Sequence, residues 1–213
     1  MYSYGVIGFG YAKTSGVQVI PSTKPAHPKV LLLGTSLTSR GSWVARLGDQ
    51  LAHCGVEVDR LARPAANSRW GLSQLKEWFA ADNKAGLIIV EFSGNDASPI
   101  HGMPLSASRK THNAIVELAH KNGAVVTLAT MSPGWNMNAL ERPGQDRYHA
   151  IYRDLAGSQI GLIDTIEVWR GISSDERPVW VPDNLHPTDQ AMIKFAVPHF
   201  REHIMALYCP HLA

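Results

Sequence analysis

Lys29-Val30-Leu31-Leu32-Leu33-Gly34-Thr35-Ser36-Leu37-Thr38 is the stretch on which the fold turns. An unbroken apolar run closed by glycine reads as a strand buried on both faces, the signature of a parallel sheet covered by helices. Immediately downstream the period changes. Trp43, Val44, Leu47, Leu51 and Cys54 recur at helical spacing, and Gly55 closes that helix. Val56 to Leu61 then alternates like a shorter strand, and Leu72, Leu75, Trp78 and Phe79 mark a second helix. The same exchange repeats through a strand at Leu87 to Phe92, a helix around Ile115 to Ala119 and a strand at Val125 to Ala129. A Pro-, Gly- and Asn-rich loop from Met131 to Gly144 leads to a helix near Tyr148 to Leu155 and a fifth strand at Ile160 to Asp164. The last helix follows His186-Pro187, with Pro198 placed to kink it. Five alternations predict an α/β domain of the three-layer α/β/α type, with a doubly wound, five-stranded parallel sheet.

The 213 residues suit one such domain over residues 29–213, preceded by an N-terminal extension at residues 1–28. In that extension Gly5-Val6-Ile7-Gly8-Phe9-Gly10 lacks a preceding basic segment, and its apolar run is too short for a signal peptide or a membrane span. Its spacing is also wrong for a dinucleotide-binding turn. These features lead to an expectation of a cytoplasmic protein without a membrane span. Twenty basic against eighteen acidic residues give a formal charge of +2, with no Lys/Arg run to form a polyanion groove, so nucleic acid is not an expected partner. Cys54 and Cys209 make neither a disulfide framework nor a zinc-ligand set, and they read as ordinary thiols, with a single bridge left open.

Ligands of an open parallel sheet bind beyond the carboxyl ends of its strands. Three reactive segments fall there: Gly34-Thr35-Ser36 after the first strand, Ser93-Gly94-Asn95-Asp96 after the third, and Asp183-Asn184-Leu185-His186-Pro187 past the fifth. A serine hydroxyl is a weak nucleophile until a base takes its proton, and an imidazole titrating near neutrality fits that task. A carboxylate on the far imidazole nitrogen fixes the tautomer, and three residues from Asp183 to His186 allow one tight turn to bring them together. The Ser36 N–H and the Asn95 amide supply donors for a developing oxyanion. Taken singly, a Gly-Thr-Ser turn is more often a helix cap and an Asn-Asp pair more often a turn. Their convergence on one sheet edge is what gives them chemical meaning.

These blocks resemble those of the SGNH hydrolases, also called the GDSL family, over roughly residues 29 to 205. Gly34-Thr35-Ser36-Leu37 resembles the nucleophile block, Ser93-Gly94-Asn95-Asp96 the Gly-x-Asn-Asp block, and Asp183-Asn184-Leu185-His186-Pro187 the Asp-x-x-His-Pro block. The resemblance implies a flavodoxin-like strand order and Ser36 as nucleophile, with His186 as base and Asp183 as its orienter. It implies an oxyanion hole of Ser36, Ala65 and Asn95, and it calls for no cofactor and no metal. The implied reaction is hydrolysis of an acyl ester, acetyl or another short acyl group, on a small-molecule or carbohydrate substrate. Two positions depart from the pattern. Thr35 stands where the family usually has Asp, and Ala65 stands where the second oxyanion donor is normally Gly. A left-handed backbone at Ala65 costs about 1–2 kcal/mol relative to glycine.

Two other readings use the same residues: an O-acyltransferase that excludes water, and a catalytically silent carbohydrate-binding domain. Trp135, Asn136, Trp180 and Val181 lie in loops able to wall a substrate cleft, with plain packing as the alternative. Arg40, close after the nucleophile, is positioned to meet an anionic substrate or simply to solvate a helix entry.

Overall fold

A computed structural model describes residues 16–131, 142 and 144–212. All five expected strands form: β2 (Lys29–Gly34), β3 (Glu57–Ala62), β4 (Leu87–Glu91), β5 (Val125–Thr130) and β6 (Ile160–Asp164). A sixth, β1 (Val17–Val19), comes from the segment assigned to the N-terminal extension and pairs antiparallel with β6, Val17 opposite Asp164. The sheet order is β1-β6-β5-β4-β2-β3, and β2 to β6 are mutually parallel. The parallel part has the flavodoxin-like order, and the chain reverses its winding between β2 and β4.

Alternation along the strands explains the three layers. Val30, Leu32, Leu87, Ile89 and Ile163 face one way, into a cluster with Leu47 and Leu51 of α2 (Trp43–Leu51) and Phe200 and Ile204 of the C-terminal helix. Leu31, Leu33, Ile88, Val90 and Leu162 face the other way. They pack on Leu75 of α3 (Ser68–Ala80), Ile115 of α5 (Leu105–Lys121) and Tyr152 of α6 (Gln145–Leu155). With side chains two apart sharing a face, each uninterrupted apolar run serves both cores at once. Shorter helices lie at the carboxyl edge: α1 (Ser36–Ser39), α4 (Ser93–Asp96), α7 (Ile166–Arg170), α8 (Arg177–Trp180) and α9 (Asp189–Ala191).

The last helical segment is more broken than a single kinked helix. Thr188 caps α9, a π turn occupies Met192–Ala196, and α10 (Val197–Tyr208) carries Pro198 in its first turn. The widened turn accommodates a proline ring that a continuous α-helix would exclude.

One expectation is corrected. Cys54 and Cys209 form a disulfide across a sequence separation of 155. Cys54 ends the 3-10 turn after α2 and Cys209 follows α10, so the packing of these two helices brings the cysteines together. Closing so long a loop restricts the unfolded chain by about 5 kcal/mol on the chain-entropy account. Among the described residues no helix is long and apolar enough to cross a membrane.

Candidate active site

The turn that carries the candidate nucleophile begins where β2 ends. Thr35, in extended conformation, caps α1 by accepting from Leu37 N at 3.3 Å, and Ser36 occupies the first helical position. The N–H of that position has no intrahelical acceptor and is available to an oxyanion. Beneath the turn lies Glu91, the last residue of β4 and 3% exposed. Its Oε2 accepts from Thr35 N at 3.0 Å, Thr35 Oγ1 at 2.8 Å and Thr38 Oγ1 at 3.2 Å. A Cβ at Gly34 would come 2.9 Å from this oxygen and nearer still to Thr38, which explains the glycine. Burial pushes the Glu91 carboxyl up to about 7 against these hydrogen bonds and the charge of Arg142.

The opposing loop carries the candidate base. Asn184 adopts a left-handed φ of 58°, which folds the chain so that Asp183 meets His186. Asp183 Oδ1 accepts from Leu185 N at 2.9 Å and His186 N at 2.6 Å, while Oδ2 meets His186 Nδ1 at 2.7 Å. Partial burial works against the Asp183 charge but is outweighed by these bonds, which hold the carboxyl at about 2. An ionised carboxylate only accepts, so Nδ1 carries the imidazole proton and Nε2 presents its lone pair. Ser36 Oγ lies 2.9 Å from that Nε2.

Asp189 ties the two loops together. Its Oδ1 accepts from Ser42 N and Trp43 N, both at 2.9 Å, capping α2 from a helix 147 residues away. A carboxylate at a helix N-terminus also meets the favourable end of its dipole.

Both further oxyanion candidates reach the same edge. Ala65 has φ 60°, in the left-handed region, and its N–H is bonded to no group among the described residues. Asn95, on α4, donates from Nδ2 to Ala66 O at 2.8 Å, leaving its second amide hydrogen for a ligand. Arg142 donates to Asn95 Oδ1 at 3.2 Å and to Gly94 O, fixing which way the amide faces. Behind Asn95, Asp96 is fully buried and accepts from Ser68 N at 2.8 Å, Ser68 Oγ at 2.6 Å and Ser108 Oγ at 2.5 Å. That carboxylate locks the start of α3 to α4 and α5.

The remaining candidates divide. Trp180 packs edge-on against Phe195 at 5.4 Å with Lys194 over its ring, and it stays outside the cavity beside Ser36. Trp135 and Asn136 lie outside the described residues. Arg40 does line that cavity, of about 80 Å³, together with Ser36, Leu37, Trp43, His186 and Met192. The one group of potential metal ligands among the described residues is His53, Cys54 and Cys209, and the two sulfurs are already bonded to each other.

Sequence reasoning missed Glu91, Arg142 and Asp189. Glu91 carried a signal, being the single charge in an otherwise apolar buried run. Arg142 and Asp189 carried none, since their contacts span 47 and 147 residues.

Comparison with known proteins shows the family. Residues 32–192 match the GDSL-like lipase/acylhydrolase family. An acetyl xylan esterase structure is similar at TM-score 0.70 and 18% identity, covering 83% of this chain and 99% of its own. A lipase/acylhydrolase from Enterococcus faecalis is similar at TM-score 0.65 and 19% identity, covering 84% of this chain and 96% of its own. An acetylxylan esterase from Geobacillus stearothermophilus is similar at TM-score 0.65 and 15% identity, covering 89% and 96% respectively. Among curated proteins no sequence matches.

Proposed function

The chain belongs to the GDSL-like lipase/acylhydrolase family and is an ester-hydrolysing enzyme, and from that premise we propose that it removes short acyl groups, acetyl first among them, from a carbohydrate through an acyl-Ser36 intermediate. The observation that carries the reading is the relay from Ser36 Oγ to His186 Nε2 at 2.9 Å and on to Asp183 at 2.7 Å. His186 takes the Ser36 proton as Oγ bonds to the ester carbonyl carbon, and the charge that develops on the carbonyl oxygen meets the N–H groups of Ser36, Ala65 and Asn95. The imidazolium gives its proton to the departing alcohol oxygen as the ester C–O bond breaks. Water then attacks the acyl carbon while His186 takes its proton, and Ser36 leaves with that proton restored.

The acetyl xylan esterases among the similar structures support an acetyl group on a carbohydrate alcohol. Turnover of p-nitrophenyl acetate, butyrate, hexanoate and octanoate, alongside acetylated xylo-oligosaccharides, tests this. The expected kcat/KM falls steadily with chain length, and acetate is released from the sugar. Equal or better turnover of the octanoate, with the sugar untouched, would overturn the substrate reading.

The Cys54–Cys209 bridge favours an oxidising compartment over the cytoplasmic location expected from sequence. Thiol titration of denatured protein checks it: no free thiol before reduction and both cysteines reactive after. Two free thiols without reductant would restore the cytoplasmic expectation.

A further inference from the structure

Inside the sheet, between two hydrophobic cores, an ionisable group needs a reason to be there. β4 reads Leu87-Ile88-Ile89-Val90-Glu91, and every residue of it is buried. Glu91 is in register with Gly34, the last residue of β2, so its side chain comes up directly under the nucleophile turn. All three of its hydrogen bonds arrive on Oε2, from Thr35 N, Thr35 Oγ1 and Thr38 Oγ1. Thr35 precedes Ser36 and Thr38 lies two residues beyond it. The carboxylate therefore grips the four-residue helix on both sides of its nucleophile.

We infer that Glu91 is a positioning residue for the reaction, its carboxylate acting through Thr35 and Thr38 to hold Ser36 Oγ on His186 and Ser36 N–H toward the oxyanion. The inference rests on the reading of Ser36 as nucleophile. A helix as short as α1 cannot hold itself, because isolated helical turns are unstable without outside contacts. Thr35 Oγ1 shows how the grip works: it accepts from Leu37 N as the cap and donates its own proton to Glu91. Removing the acceptor frees both threonine hydroxyls and one backbone N–H at once.

The grip depends on charge. Three donors on one oxygen suit a carboxylate and not a neutral acid. Burial pushes the carboxyl up to about 7, and the ionisable groups in its field are Arg142, which favours the anion, and Tyr152 of α6, which is itself held neutral by burial. As pH falls through that region the turn loses its anchor, so the Glu91 ionisation contributes to the acid limb of turnover.

The test is Glu91→Gln, with kcat and KM for p-nitrophenyl acetate followed from pH 5 to 9 and folding checked by circular dichroism. A misplaced nucleophile costs the chemical step, so kcat is expected to fall by on the order of ten- to a hundredfold, with KM within about twofold since uniform binding is untouched. The acid limb should become shallower, as the Glu91 ionisation is gone from it. A role in stability alone would alter neither kcat nor the limb. Should Glu91→Gln fail to fold, the Thr35→Val and Thr38→Val pair removes the two hydroxyl donors, with the same fall in kcat expected. Ser36→Ala in parallel separates the two claims. If Ser36→Ala is inactive but Glu91→Gln, or the threonine pair, keeps wild-type kcat and acid limb, the positioning role is wrong while the nucleophile stands. If Ser36→Ala remains active, the nucleophile reading itself is wrong.

Discussion

Two carboxyl groups flank the same serine, and their surroundings drive them in opposite directions. Asp183 has a half-exposed side chain, takes three hydrogen bonds shared over both oxygens, and is held at about 2. Glu91 is buried, takes three hydrogen bonds on one oxygen, and is pushed up to about 7. Equal numbers of donors give opposite outcomes because desolvation decides between them. The exposed carboxylate stays charged throughout the working range, as needed to hold one imidazole tautomer. The buried one sits where a small change of pH alters its charge, and it is aimed at backbone and hydroxyl groups of the turn in place of the base.

Replacing each carboxyl by its amide breaks the comparison at its strongest point. Asp183→Asn keeps shape but can hydrogen-bond the wrong imidazole tautomer, so kcat for p-nitrophenyl acetate is expected to drop by about 10⁴-fold at every pH from 6 to 9. A loss confined to acid pH would mean that Asp183 does not set the tautomer.

Stability should show the contrast from the other side. The folded Glu91 pKa lies above its ordinary 4.5, at about 7, so the folded state holds this proton more tightly than the unfolded chain. Its contribution is complete below pH 4.5 and declines as pH rises to about 7. Urea unfolding of wild type and Glu91→Gln at matched pH isolates it. Relative to the variant, wild type is expected to lose about 3 kcal/mol across that window. Parallel stability profiles would show that the carboxyl is not perturbed. Buried His149 and His203, lowered by desolvation to about 4 and about 3, give the opposite slope below pH 6.5, and they cancel in the difference.

Most of the scaffold was legible because uninterrupted apolar runs and helical spacing are local signals. β1 escaped because three residues, Val17-Gln18-Val19, are too few to show a period. The Cys54–Cys209 bridge escaped because pairing across 155 residues depends on how α2 and α10 pack, which no local pattern encodes. At the site, Ser36, Asp183 and His186 were legible through their motifs, and Ala65 through its place after β3. Its left-handed φ of 60° is strain that an L-residue tolerates at about 1–2 kcal/mol. What holds those groups was less visible. Arg142 on Asn95 and Asp189 on α2 act across the fold, and only Glu91 announced itself, as a charge in a strand with no exposed face.

The central claim is that Ser36 is the nucleophile of an acyl-enzyme. Purified Ser36→Ala should hydrolyse p-nitrophenyl acetate at least about 10⁴-fold more slowly than wild type. In the same experiment a fluorophosphonate should add to the Ser36-containing peptide of wild type and not to the variant. Undiminished turnover by Ser36→Ala, or a fluorophosphonate adduct on another residue, would contradict the account.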